Sequence, residues 1–150
     1  MVKYLVELEA DFNKEKIFEK TPLLYACEIR NESMVKCLVE LGADINKGNK
    51  DGKTPLIHAC EKGNESIVKY LVEIGADINK ETKNGNTPLF YACEEGNEAI
   101  VKCLVEHGAD INKENKYGKT PLFFACENGN EAIVNYLVEH GADITKENKD

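Results

Sequence analysis

The sequence predicts an all-α solenoid of stacked helix-turn-helix units, and three observations carry that prediction. Thr-Pro-Leu recurs every 33 residues, at Thr21, Thr54, Thr87 and Thr120. An Ala-Cys pair follows each at a constant offset: Ala26-Cys27, Ala59-Cys60, Ala92-Cys93 and Ala125-Cys126. A Gly-Ala-Asp-Ile stretch then closes each unit, as at Gly75 to Ile78. A fixed period of this length is the mark of a solenoid, in which each repeat touches its neighbours and cannot bury its apolar face alone.

Each repeat opens on a turn. Lys50-Asp51-Gly52-Lys53, Lys83-Asn84-Gly85-Asn86 and Lys116-Tyr117-Gly118-Lys119 each place Gly third, where a turn needs positive φ. Thr is then expected to cap a first helix, with Pro at its first position, where the missing N–H costs nothing. That helix should run roughly from Pro55 to Lys62, with Leu56, Ala59 and Cys60 on its buried side. Gly63-Asn64 breaks it, and Asn64, Asn97 and Asn130 are suited to cap a second helix.

The second helix carries Ile67, Val68, Leu71 and Val72 on one face and Glu65/Lys69 in a favourable i,i+4 order. Gly75, Gly108 and Gly141 should end it in the left-handed conformation. Ala76 to Asn79 is expected to lead out in extended form.

The repeats divide the chain into a leading half-repeat at 1–17 and full repeats at 18–50, 51–83, 84–116 and 117–150. Together they are expected to form one domain. No apolar run approaches the roughly 18 residues of a membrane span, and no signal segment opens the sequence. The formal charge of −8 argues against nucleic acid or an anionic membrane as ligand, since both are polyanions.

The six cysteines occupy two repeated positions. Cys27, Cys60, Cys93 and Cys126 stand where a small buried residue belongs. Cys37 and Cys103 alternate with Tyr4, Tyr70 and Tyr136. Equivalent positions lie one repeat apart and do not suit disulfide geometry. The expectation is reduced thiols in a cytoplasmic or nuclear protein. Two sequons, Asn31-Glu32-Ser33 and Asn64-Glu65-Ser66, point weakly the other way.

Gly52-Lys53-Thr54-Pro55-Leu56-Ile57-His58-Ala59-Cys60, Gly63-Asn64 and Gly75-Ala76-Asp77-Ile78-Asn79 together resemble the ankyrin-repeat pattern. The resemblance covers nearly the whole chain. It implies an L-shaped stack with two layers of antiparallel helices and β-hairpin-like fingers. It also implies protein-protein interaction without catalysis, and no cofactor. The sequence departs from the family at Leu24, Ile57, Phe90 and Phe123, where the family has a hydrogen-bonding His, so an apolar seam is expected there. Glu9, Arg30 and Glu19 stand where other repeats have Gly, and Thr145 replaces the Asn of Asn46, Asn79 and Asn112.

No nucleophile elbow or phosphate-cradling loop is present. Cys103 and His107 lie four apart on a helix, but two ligands fall short of the four zinc takes, so no metal site is expected. His107 and His140 fall in the last helical turn, where a cation suits the dipole.

In the resembled family a partner lies on the concave side, against finger tips and first helices. Carried over, the fingers present Lys50, Asp51, Lys53, Lys83, Asn84, Asn86, Lys116, Tyr117 and Lys119. The first helices present Glu28, Glu61, Lys62, Glu94, Glu95, Glu127 and Asn128. A lysine-rich edge thus faces an acidic floor. Between them Tyr25, His58, Tyr91 and Phe124 form a ladder that serves either as packing or as binding anchors.

The expected function is a binding scaffold for a protein partner. The rival is a spacer segment of a longer array. A third reading, a redox or metal switch, would need exposed thiols. The final repeat keeps the interior apolar set, so fraying or weak end-to-end self-association is expected beside a monomer.

Overall fold

The computed structural model describes residues 20–146. Eight helices are found among them. They fall into two units, one ending at Asp77 and the other starting at Ile78. The half-repeat expected at 1–17, with the readings placed on Tyr4, Glu9 and Glu19, lies outside the described residues.

The first unit holds α1 (Pro22–Glu28), α2 (Glu32–Glu40), α3 (Pro55–Glu61) and α4 (Glu65–Glu73). Thr21 and Thr54 cap α1 and α3, each hydroxyl accepting the N–H three residues on. Asn31 and Asn64 cap α2 and α4 in the same way, through Met34 and Ile67. Helix α1 packs on α2 and on α3, and α3 packs on α4. Leu23, Leu24, Ala26, Leu56, Ile57 and Ala59 are fully enclosed on the first helices. Val35, Leu38, Ile67 and Leu71 complete this core from the second helices. Each first helix is only seven residues long, too short to persist alone in water, so the packed face holds it.

The second unit repeats the plan with α5 (Pro88–Glu95), α6 (Glu98–Glu106), α7 (Pro121–Glu127) and α8 (Glu131–Glu139). Asn97 and Asn130 cap α6 and α8, and Thr120 caps α7. Thr87 departs from the pattern: its hydroxyl is buried and has no hydrogen-bond partner. Its core runs through Leu89, Phe90, Ala92, Ile100, Leu104, Ala125, Ile133 and Leu137. At the position where the family has His, Leu24, Ile57 and Phe90 are buried and Phe123 is half-buried.

No strand occurs among the described residues. The fingers are tight two-bond turns. The stretch expected to be extended after each second helix turns instead. The Asp44, Asp110 and Asp143 carboxylates each accept the N–H two residues on, from Asn46, Asn112 and Thr145. A short acidic side chain competes well for a nearby backbone donor, which favours the turn.

One residue of this turn joins successive repeats. Asn79 accepts the Asp110 N–H at 2.9 Å and donates to the Gly108 carbonyl at 3.1 Å. Asn112 does the same with Asp143 and Gly141, at 2.8 and 3.0 Å. In the first unit Asn46 accepts the Asp77 N–H at 2.8 Å. Thr145, in the same position, turns back on its own Asp143 carboxylate at 2.6 Å.

The break between first and second helix needs a left-handed residue. Gly63, Gly96 and Gly129 supply it, at φ 65°, 72° and 67°. Arg30 takes the same conformation at φ 61° and is the one non-glycine at positive φ among the described residues. That position is strained for a residue with a Cβ.

The thiols divide. Cys27, Cys60 and Cys93 are buried, as expected. Burial pushes Cys27 and Cys93 up to about 12, so neither is a thiolate at neutral pH. Cys126 is exposed, against expectation. Helix α3 lies against α1 and α7 against α5, whereas no described helix lies against the outer side of α7. The same Ala-Cys sequence is therefore covered in one repeat and open in another. Cys37 and Cys103 are half-buried thiols.

Candidate functional site

Each finger is built on one residue that closes the turn at both ends. In the first unit the Asn49 N–H donates to the Lys53 carbonyl at 3.0 Å, and its own carbonyl accepts from Gly52 at 2.9 Å. Its side-chain oxygen accepts the N–H groups of Asp51 and Lys53. Asn115 does all of this in the second unit, for Lys119, Gly118 and Tyr117. Thr82 holds the finger between them, its hydroxyl accepting from Asn86 at 3.2 Å. The backbone is thus fixed from within, and the tip side chains at Lys50, Asp51, Lys83, Asn84, Lys116 and Tyr117 are left exposed.

The two fingers of the second unit are bonded to each other. The Lys116 N–H donates to the Asn84 carbonyl at 2.9 Å, and the Asn115 amide donates to the Asn86 side chain at 2.8 Å. Gly85 makes this approach possible. At φ 80° it sits so close that a Cβ would lie 3.2 Å from the Asn115 Cα.

The first-helix floor differs between the units. In the first, Lys53 bonds Glu61 at 2.7 Å and Lys20 bonds Glu28 at 2.6 Å, each reaching from before the Thr cap to the last residue of the helix. The Lys20 ammonium holds the Glu28 carboxyl below the ordinary range. The lysine edge and the acidic floor expected to face a partner here neutralise each other. His58 lies beside them and is 4% exposed. Neither ring nitrogen has a hydrogen-bond partner, and the Glu61 carboxylate stands 3.8 Å from Nδ1. Burial holds the imidazole below its usual value and outweighs the opposing pull of Glu61.

In the second unit Asn86 replaces the lysine, and Lys119 does not reach Glu127. Its ammonium lies 4.5 Å from the Phe123 ring centre and 5.6 Å from that of Phe124. Phe124 meets Phe90 edge-on at 5.6 Å and Phe123 at 6.0 Å. Phe124 is half-buried, Tyr117 is 55% exposed at its finger tip, and Tyr91 is buried. The Asn128 amide donates to the carbonyls of Glu94 and Cys93 at the end of α5, so it acts within the protein. Glu94, Glu95 and Glu127 stay exposed.

The ladder expected from the sequence is therefore mixed. Tyr25 is exposed, His58 and Tyr91 are packed away, and Phe124 lies between these extremes. The roles of Asn49, Asn115 and the Asn79/Asn112 pair were missed. Asn79 and Asn112 recur one repeat apart and Asn49 and Asn115 two repeats apart with Thr82 between, and that recurrence was the signal that could have found them.

The outer face of the second helices is plainer. The Lys36 ammonium lies 5.6 Å from the Tyr70 ring centre and Lys102 lies 5.8 Å from that of Tyr136. His107 and His140 cap their helices, Nδ1 donating to the carbonyls of Cys103 and Tyr136 at 2.7 and 2.8 Å. Among the described residues no three His, Cys, Asp or Glu side chains gather as a metal site requires. None of the described helices is long and apolar enough to cross a membrane.

A search of curated proteins returns no match to this chain. The family model for ankyrin repeats in three copies matches residues 1–82 and again 75–148. With capped helix pairs repeating at the same period in both units, the chain belongs to the ankyrin-repeat family.

Proposed function

We propose that the chain is a non-catalytic binding module whose protein partner docks on the fingers and first helices. Ankyrin repeats are in general protein-interaction modules. The observation that carries the choice of face is internal. The second helices α4, α6 and α8 read ESIVKYLVE, EAIVKCLVE and EAIVNYLVE, almost the same surface three times. The finger tips read Asp51, Asn84 and Tyr117, and the ladder reads Tyr25, His58, Tyr91 and Phe124. Variation on an invariant frame is what a recognition surface needs, because specificity comes from side chains and the frame only holds them.

The surface of the second unit is the better supported part. It offers an exposed Tyr117, a half-buried Phe124 and the cations of Lys116 and Lys119. Tyr is among the residues enriched at binding hot spots. A spacer role suits the first unit better, since its Lys53–Glu61 and Lys20–Glu28 pairs satisfy themselves.

Affinity capture of cell extract with wild-type chain and with a Tyr117→Ala/Phe124→Ala variant tests the reading. The captured proteins should be lost with the variant and kept with a Lys102→Glu control on a second helix. Loss with the control and retention with the variant overturns the choice of face.

A further inference from the structure

The second unit leaves charge of both signs uncompensated at its finger and along its first helices, where the first unit pairs Lys53 with Glu61 and Lys20 with Glu28. Among the described residues the side chains of Lys83, Lys116, Glu95 and Glu127 make no ion pair. The cause is local. Lys119 stands where Lys53 stands one unit earlier, and Glu127 where Glu61 stands. Lys53 meets Glu61 at 2.7 Å, past Ile57 and His58. Lys119 meets the rings of Phe123 and Phe124, which occupy those two positions.

An ammonium over an aromatic face gains about 0.5–1 kcal/mol, as much as an exposed ion pair supplies, so two rings suffice to divert it. The result is a cation at the start of α7, an anion at its end and an aromatic side chain between. Glu127 lies eight residues beyond Lys119, a rise of about 12 Å along a helix. An extended strand covers that length in about three to four residues.

Resting on the proposed function of this face, we infer that α7 and its finger bind an extended peptide segment of alternating charge. The segment carries an acidic side chain for Lys119 and Lys116, an apolar one for Phe124 and Tyr117, and a basic one for Glu127. Acid and base stand three or four residues apart. Charge complementarity commits the occupant: a uniformly acidic segment would meet Glu127 and Glu95, and a uniformly basic one would meet Lys116 and Lys119. Like charges facing each other disfavour both.

A random peptide library displayed on phage, selected on the full chain, tests this. The enriched peptides should share an acid and a base at that spacing around an apolar residue. A Lys119→Glu/Glu127→Lys variant should select the same motif with its charges exchanged. A second variant, Phe123→Ile/Phe124→His, brings in residues the chain already folds with at Ile57 and His58. It should let Lys119 close onto Glu127 and weaken wild-type-selected peptides about tenfold or more. Enriched peptides without paired charges, or a motif unchanged by the exchange, overturn the inference. If such peptides still lose binding with Tyr117→Ala/Phe124→Ala, the binding face stands and only its charge logic falls. If binding ignores every one of these variants, or if no peptide is enriched, the segment reading falls entirely.

Discussion

Arg30 shows how one side chain departs from a backbone its repeat requires. It holds φ 61°, the conformation that Gly63, Gly96 and Gly129 hold at the same place. A Cβ there costs about 1–2 kcal/mol, while glycine gives back about 0.4–1 kcal/mol through the freer unfolded chain. Arg30→Gly should therefore stabilise the first unit by about 0.5–1 kcal/mol. A rise in the urea midpoint of that unit checks it, and an unchanged or lower midpoint contradicts it.

His58 makes the opposite kind of statement, through pH. Its imidazole is enclosed without a hydrogen bond, and burial lowers its pKa in the folded state despite Glu61. The unfolded chain then binds the proton more readily than the folded one. Stability is full above the unfolded value of about 6.5 and falls as pH drops through that value toward the folded one. Glu28 acts in a lower window, where its lowered pKa lets stability fall only as the carboxyl protonates. Tyr stands at the His58 position in two other repeats, at Tyr25 and Tyr91. The urea midpoint of wild type should drop between about pH 7 and pH 5, and that of His58→Tyr should drop less. Equal slopes remove His58 as the cause.

At the scale of the element, each repeat is a helix pair, a finger and a closing turn, and their joints differ in strength. Asn112 makes two bonds to the next repeat, to Asp143 and Gly141. The Lys146–Glu114 ion pair, at 3.5 Å, joins the same repeats from exposed residues. A neutral hydrogen bond contributes about 0.5–1.5 kcal/mol, and an exposed ion pair about 0–1 kcal/mol. Asn112→Ala should cost about 1–2 kcal/mol and speed hydrogen exchange at the Asp143 amide, while Lys146→Ala should cost under about 0.5 kcal/mol. The reverse order would show that charge, not the amide, joins the repeats.

Much of this element was legible in the sequence for local reasons. Thr before Pro starts a helix through its own hydroxyl, and Gly before Asn stops one through its own φ. These signals lie within four residues of what they control. The candidate surface was less legible, because its state depends on residues far apart. Nothing in Ala125-Cys126 differs from Ala92-Cys93, yet Cys93 is covered and Cys126 is not. Lys53 and Lys119 follow the same glycine, yet one pairs with a carboxylate and the other with two rings. His58 and Tyr91 occupy a position that could have faced a partner and are enclosed instead.

At the scale of the whole molecule, one plan is used twice with different surfaces. The chain carries a formal charge of −8, so an acidic partner is repelled at long range unless the finger lysines guide it. The first unit joins Lys20 and Lys53 to its own glutamates, whereas in the second Lys119 lies over the Phe123 ring and Lys116 and Glu127 make no ion pair among the described residues. Ankyrin repeats are in general protein-interaction modules. The proposed binding face is tested most directly by cross-linking. A photo-reactive phenylalanine at position 117, at 124 or at 102 can be cross-linked to the proteins captured by the wild-type chain. Adducts are expected from 117 and 124, on a finger and a first helix, and none from 102 on a second helix. Adducts from 102, with none from the other two, would contradict it.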